Sequence, residues 1–403
     1  MTHGPGPGAQ LPVIIAMVAR ERGITGVHTH VRQLQTYLHG VGEPVELVTP
    51  HTWARSGGRW RAPALVPPFG ARVILERTYG PANVWWYRTS HEHVLRAALR
   101  TALAHERPCV VYAQCPVSAR AALDARTGPH QQVVLAVHFR ISQADEWADK
   151  GQIARDGQVY GWIRDTERSV VPRVDGLAFV SAWARAALLE WLPEAGSVRH
   201  VVVPNFVNRT TGQRPTRVLG DLVTVGNLEA VKNHRYLLRV LAAAKRAGRT
   251  YSLDVFGEGV ERARLLALAD DLGLHGQVHL RGFRADVQDL LPGYRAYVHA
   301  SYSESSSLAI MEAMQAGLPV VSSPAGALTE IFRDPDQGRF WPLDDPDRAA
   351  GILVALIDDA AELGRCGRSA SEAFARDYDA DVVAPRLLAF LTSTSTSTPS
   401  GLP

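Results

Sequence analysis

Cysteine is scarce in this chain. Cys109, Cys115 and Cys366 are the only three in 403 residues, an odd and sparse set that excludes a disulfide framework and points to a reducing compartment, the cytoplasm. Charge of one sign is also lacking: 43 Lys and Arg against 40 Asp and Glu leave a net +3, which excludes the dense basic stripes of a dedicated nucleic-acid binder while remaining compatible with anionic substrates. No run suits a membrane span at the N-terminus, where the apolar stretch Leu11 to Ala19 is too short to cross a bilayer. It follows Gly and Pro rather than a basic region, so it reads as a first buried strand and not as a signal peptide. The aromatic cluster Trp85, Trp86, Tyr87 and Arg88 suits at most a weak peripheral membrane contact, because no basic amphipathic helix accompanies it.

What is present is the balance of a folded protein, 46% hydrophobic and 21% charged, in a chain long enough for two domains. Short β-rich apolar runs begin at Val13, Val45, Cys109, Val133, Gly176 and Val201, and most are separated by helical stretches. In the first of these, Val27, Val31, Leu34 and Leu38 share one face and Gly40 supplies a stop. The polar segment from Asn208 to Thr216 interrupts the rhythm, which restarts with runs at Leu222, Leu253, Val278, Ala296 and Pro319. Continuous apolar strands alternating with amphipathic helices predict an α/β fold of two doubly wound parallel sheets. The expected domains are residues 1–208 and 217–374, with a helical stretch near 375–391 crossing back onto the first and a loose Ser/Thr/Pro tail over 392–403.

Ligands of open parallel sheets bind beyond the carboxyl ends of the strands. The richest such place is Ser301 to Ser323, SYSESSSLAIMEAMQAGLPVVSS. There a strand feeds a Ser-rich loop, the loop opens a helix, and Gly317 and Pro319 end it. Amides near Ser307 and Leu308 at the helix start suit an anion such as a diphosphate. Glu312 lies within reach of a ribose beside that diphosphate, and Glu304 within reach of a sugar beyond it. The plainer reading of either glutamate is a solvated charge favoured by the helix dipole.

The segment as a whole resembles the signature of glycosyltransferase family 4. Glu304, Glu312, Ala313, Gly317, Pro319, Val320 and Val321 all match, while Ser307 stands where the family most often has Gly. Leu222 to His234, LVTVGNLEAVKNH, resembles the opening of that family's C-terminal domain. By that resemblance Lys232 is a donor-diphosphate ligand, and Asn227 occupies the usual Arg position, which leaves one cation missing or supplied elsewhere, with Arg235 as a candidate. Gly282 and Phe283, ending the run from Gln277, become contacts of the nucleotide base. Gly26, preceded by Gly23, falls in a Gly-rich first loop that approaches the donor phosphates. His138, where the strand VVLAV gives way to a polar loop, resembles the active-site histidine facing the cleft, able to bind a hydroxyl of the transferred sugar or to orient the acceptor.

The resemblance implies the GT-B fold, two facing Rossmann-like domains, and a retaining hexosyltransferase. The catalytic set is then His138, Glu304 and Lys232. Its co-substrate is a nucleotide-diphosphate sugar, most simply a UDP-sugar, with no metal or other cofactor required. Trp53, Trp60, Trp85, Trp86, Tyr87 and Trp147 make the acceptor-facing half aromatic-rich, although core packing is their ordinary role. The Ala/Arg-rich composition suits a high-GC bacterial source, where acceptors of such enzymes include natural products, as in antibiotic biosynthesis, envelope lipids and small thiol precursors. Rival readings are a sugar-nucleotide epimerase, a catalytically silent sugar-nucleotide-binding protein and a nicotinamide-dependent oxidoreductase. The last is weakened because Arg262 replaces the third glycine after Gly257 and Gly259.

Overall fold

The structure is a computed structural model that describes residues 11–21, 23, 25–52, 70, 75, 80–210 and 218–393. Trp53 and Trp60 lie outside the described residues. The strands form two sheets. The first contains β1 (Val13–Ala16), β2 (Val45–Val48), β3 (Cys109–Ala113), β4 (Gln131–Val137), β5 (Gly176–Phe179) and β6 (His200–Val202), in the order β2-β1-β3-β4-β5-β6. The second contains β7 (Leu222–Val225), β8 (Leu253–Phe256), β9 (Val278–Gly282), β10 (Ala296–His299), β11 (Val320–Ser322) and β12 (Gly338–Phe340), in the order β12-β11-β10-β7-β8-β9. Every pairing between these named strands is parallel.

Burial follows from the alternation of side chains along each strand. Val13 and Ile15 face one core while Ile14 and Ala16 face another, and likewise Tyr297 packs opposite to Ala296 and Val298. Helices therefore cover both faces of each sheet, which is why the strands read as unbroken apolar runs. Helix Gly26–Gly40 turns Val31, Leu34 and Leu38 onto the first sheet. Beside it lies the last helix, Ala380–Thr392, whose Val383, Ala384, Leu387 and Leu391 join the same core.

The chain thus crosses twice between the sheets, near Val207 and near Asp379. These crossings are joined to one another: Val207 N–H donates to Tyr378 O at 3.0 Å, Ala380 N–H to Val207 O at 3.1 Å, and Arg209 Nε lies 2.5 Å from Asp379 Oδ2. The crossing helix begins at Ala380 rather than near 375, because Asp379 caps it by accepting from Asp381 N–H and the preceding helix, Ala360–Asp377, ends before it. Strand β12 is absent from the run-based reading of the sequence. It is a three-residue edge strand opening on Gly338, where an added Cβ would sit 1.8 Å from Val320 O, so close packing replaces the apolar signal.

The order of the second sheet places a topological switch point between β7 and β10, whose following loops diverge to opposite faces and leave a crevice. Two glycines hold that crevice in shape. Gly257 has φ +145° and packs onto the loop after β7, where an added Cβ would lie 2.0 Å from Gly226 O. Gly326, at φ +60°, would place a Cβ 2.3 Å from Glu304 O.

Candidate active site

A cleft of about 710 Å³ runs between the two sheets, and both sheets line it. From the second sheet come the loop after β7 (Gly226, Asn227, Glu229 to Lys232), the loop after β8 (Gly259, Val260, Glu261, with Arg264), and the segment Ser303 to Ala309 with Glu312. From the first come Thr25, Gly26, Asn83, Tyr87, His138, Arg140, Trp147, Lys150 and Asn205 among others.

At the switch point Glu304 is nearly buried, 7% exposed, and three donors converge on one of its oxygens. Lys232 Nζ lies 2.6 Å from Oε1, Ser301 Oγ 2.7 Å and His299 Nε2 3.1 Å. Among the described residues no hydrogen bond is made to Oε2, so the side chain is pinned through one oxygen and keeps the other for the cleft. Burial by itself would raise this carboxyl. The Lys232 ammonium and the His299 hydrogen bond override it and hold Glu304 well below the usual carboxylate range, hence ionised. Lys232 is positioned by a one-turn 3₁₀ helix, Ala230–Lys232, that stops at Asn233 in the left-handed conformation, φ 51°.

Helix Leu308–Gln315 opens directly into the cleft. Its N-cap residue, Ser307, makes no side-chain cap hydrogen bond, so the first-turn N–H groups are not satisfied that way and suit an anion. Ser306 Oγ, beside them, is buried without a partner among the described residues. One turn further, Glu312 receives Gln288 Nε2 at 2.6 Å. Burial pushes its carboxyl up to about 7, against the opposing effects of that hydrogen bond and of Arg32 from the facing domain.

On the opposite wall His138 stands at the end of β4 as expected. Its Nε2 meets Gln114 Oε1 at 3.1 Å, and the Gln114 amide is itself oriented by donating to Tyr112 O at 3.2 Å. That arrangement puts the imidazole proton on Nε2 and leaves Nδ1 as an acceptor. Burial, reinforced by the His30 ring 4.6 Å away, holds His138 well below the ordinary histidine value, so it acts as a neutral hydrogen-bonding group and not as a base near neutral pH. Gly26 opens helix Gly26–Gly40 at the cleft, and an added Cβ there would meet nothing within 4 Å. Gly23 differs: a Cβ would press to 2.4 Å from the His28 ring, which gives that glycine a local packing reason.

The structure therefore gathers Gly26, His138, Asn227, Lys232, Glu304, Ser307, Leu308 and Glu312 around one cleft. It does not bring Gly282 and Phe283 into the lining. Gly282 ends β9 with Glu258 Oε1 2.7 Å from where a Cβ would stand, and Phe283 is half exposed. Arg235 points to Glu261 at 2.5 Å, and it is Arg264, also paired with Glu261 at 2.8 Å, that reaches the cleft. Two aspartates outside the cleft cap helices: Asp345 accepts from Arg348 N–H, and Asp379 from Asp381 N–H. Among the described residues no group of three or more His, Cys, Asp or Glu side chains could hold a metal ion, and no helix is long and apolar enough to cross a membrane.

Sequence reading did not find the contacts that tie the two walls together. Ser181 Oγ donates to Ser305 O at 2.7 Å, and Ser305 Oγ donates to His138 O at 2.5 Å. The Glu330 carboxylate accepts from Ala182 and Trp183 N–H at 2.8 and 2.6 Å, capping helix Ala182–Trp191 from the other domain. No motif marks these residues, because each acts on a backbone group distant in sequence.

Two facing parallel α/β sheets with an anion-ready switch point on one and a histidine on the other constitute the GT-B architecture. Residues 220–373 match the family described as glycosyl transferases group 1, and residues 25–205 match the glycosyl transferase 4-like domain. The chain belongs to the group 1 glycosyl transferases. It is 26% identical over 383 residues to a phosphatidyl-myo-inositol mannosyltransferase of Mycolicibacterium smegmatis, covering 90% of this chain and 89% of that one. It is also 26% identical over 149 residues to the GtfA subunit of a UDP-N-acetylglucosamine–peptide N-acetylglucosaminyltransferase of Streptococcus gordonii, which covers 37% of this chain but only 29% of the relative's length. In fold it is similar to Anabaena HepE, solved in complex with UDP-glucose, with TM-score 0.68 at 17% identity, covering 95% of this chain and all of that one.

Proposed function

We propose that the chain is a retaining glycosyltransferase that moves a hexose from a UDP-sugar to a hydroxyl of a small acceptor. The observation that carries this reading is the convergence, within one cleft, of the pinned Lys232–Glu304 pair, the uncapped start of helix Leu308–Gln315 and the buried Glu312. A diphosphate suits Lys232 and the helix amides, a ribose diol suits Glu312, and the sugar hydroxyls suit the free oxygen of Glu304. UDP is preferred because relatives and structural neighbours carry it in their names. The three cysteines, all free and buried, suit catalysis in the reducing cytoplasm.

In the proposed step the bond from the anomeric carbon to the diphosphate oxygen breaks, the acceptor oxygen bonds to the same face of that carbon, and the acceptor proton passes to the departing diphosphate. Negative charge collects on the leaving group, so fixed donors there lower the barrier without reorganising. Glu304, held ionised, also stabilises positive charge on the sugar ring. His138 offers Nδ1 to a sugar hydroxyl.

Slow hydrolysis of the donor tests this without a known acceptor. Followed by proton NMR, UDP-glucose turnover is expected to release the α-anomer first, and Lys232→Ala to slow it by about a hundredfold or more, the loss typical of a transition-state charge partner. Release of the β-anomer first would refute retention. An epimerase would instead convert the nucleotide sugar without releasing free sugar.

A further inference from the structure

The wall of the cleft facing Lys232 has a chemistry of its own. Asn83 and Tyr87 project from helix Gly80–Leu103, and Glu146 and Trp147 from helix Gln143–Asp149, followed by Lys150. Asn83 is 5% exposed, and among the described residues its Oδ1 has no hydrogen-bond partner. An unpaired buried carbonyl oxygen is destabilising, a penalty that a ligand hydroxyl donating to it would relieve. Next to it the Tyr87 and Trp147 rings meet edge to face, centroids 6.0 Å apart and 63° between planes, making an aromatic corner at the cleft.

Among the described residues the charges on this wall cancel. Glu146 and Asp149 stand against Arg140 and Lys150; Arg140 is hydrogen-bonded to Asp149, and Lys150 Nζ lies 3.9 Å from Glu229 across the cleft. A phosphorylated ligand would find no surplus cation among these described residues, and an extended hydrocarbon would lie against charged and amide groups. A neutral ring that carries hydroxyls at its edge and C–H bonds on its face matches both the unpaired oxygen and the aromatic corner.

We propose that this wall is the acceptor subsite for a neutral, hydroxyl-rich six-membered ring, a glycoside or cyclitol, with one hydroxyl donating to Asn83 Oδ1 and the ring's C–H face set in the Tyr87–Trp147 corner. The proposal rests on the reading of the chain as a UDP-sugar transferase.

The test offers the full chain a UDP-sugar together with methyl α-D-glucopyranoside, methyl α-D-mannopyranoside or myo-inositol, and in parallel with decaprenyl phosphate or 4-methylumbelliferone. Products are read by mass spectrometry. At least one of the three polyols is expected to be glycosylated saturably. Asn83→Leu and Trp147→Ala should each raise its KM by about tenfold or more, whereas Asn83→Asp, which keeps the accepting oxygen, should stay within about threefold. A UDP-induced rise in melting temperature checks that each variant is folded with its donor side intact. Product from decaprenyl phosphate or 4-methylumbelliferone alone, from none of the probes, or from a polyol whose KM ignores Asn83→Leu and Trp147→Ala would overturn the proposal. If the wild type shows no UDP-sugar binding at all, the transferase reading itself has failed and the subsite falls with it; binding without the expected acceptor effects overturns the subsite alone.

Discussion

Replacing Lys232 by Met removes the ammonium 2.6 Å from Glu304 Oε1 and leaves a carboxylate whose side chain is 9% exposed with only the Ser301 and His299 hydrogen bonds. Breaking one side of a buried pair costs about 3–5 kcal/mol. The 26% exposure of Lys232 argues for the lower end, and protonation of Glu304 offers an escape, so about 2–3 kcal/mol is expected. On a domain of this size that corresponds to a fall in melting temperature of roughly 5–10 °C. Adding Glu304→Gln removes the stranded charge while keeping an oxygen for Ser301 and His299, and should restore the double variant to within about 1 kcal/mol of wild type. Glu304 is depressed in the folded protein, so it stabilises above its unfolded pKa and that contribution disappears as pH falls. The penalty of Lys232→Met should therefore shrink in acid. Differential scanning calorimetry of the wild type, Lys232→Met, Glu304→Gln and the double variant measures the coupling. Wild-type melting in Lys232→Met, or no recovery in the double variant, would refute the view that this pair is a buried, coupled unit.

Donor affinity is expected to rise with pH through about 7, where Glu312 ionises and gains a carboxylate to accept ribose hydroxyls; Glu312→Gln should abolish that step in calorimetric titrations of UDP. For the unliganded protein the sign is opposite, because ionising a carboxyl whose folded pKa is raised costs stability, so its melting point should fall over the same rise in pH and do so less in Glu312→Gln. Glu330→Ala removes the carboxylate that caps helix Ala182–Trp191 from the other domain, and should cost about 1 kcal/mol of interdomain contact, seen as a larger radius of gyration in small-angle scattering. Gly257→Ala forces a Cβ to 2.0 Å from Gly226 O at φ +145°, and is expected to destabilise the second sheet by about 2 kcal/mol or more in denaturant titrations.

The sequence declared its architecture through strands buried on both faces. Runs such as CVVYA and VVLAV have no charged side to blur them, and they appear within Cys109–Ala113 and Gln131–Val137. Edge strand β12 stayed hidden because Gly338 and Arg339 carry its close packing and polarity instead. Glu304 and Glu312 could be placed at the crevice because they lie in the loop and helix that follow a strand end, whereas Lys232 was marked by the family resemblance of the segment after β7. The roles of His299 and Ser301 in pinning Glu304 were not legible, since a buried strand-end histidine looks like any core residue until its partner is known. Asn83 was equally silent: a single asparagine in a helix carries no pattern, and only its unpaired, buried oxygen marks it. Cross-domain contacts such as Glu330 to Ala182 join positions 148 residues apart, beyond any local rule.

Calorimetric titration of wild type and Glu312→Ala with UDP-, GDP- and ADP-sugars tests the central claim, that the second sheet's crevice holds a nucleotide-diphosphate sugar with its ribose on Glu312. The account expects a UDP-sugar to bind the wild type and to lose about tenfold or more in affinity with Glu312→Ala, the loss of a charged hydrogen-bond partner. No binding by any of the three donors, or equal binding by both proteins, would contradict it.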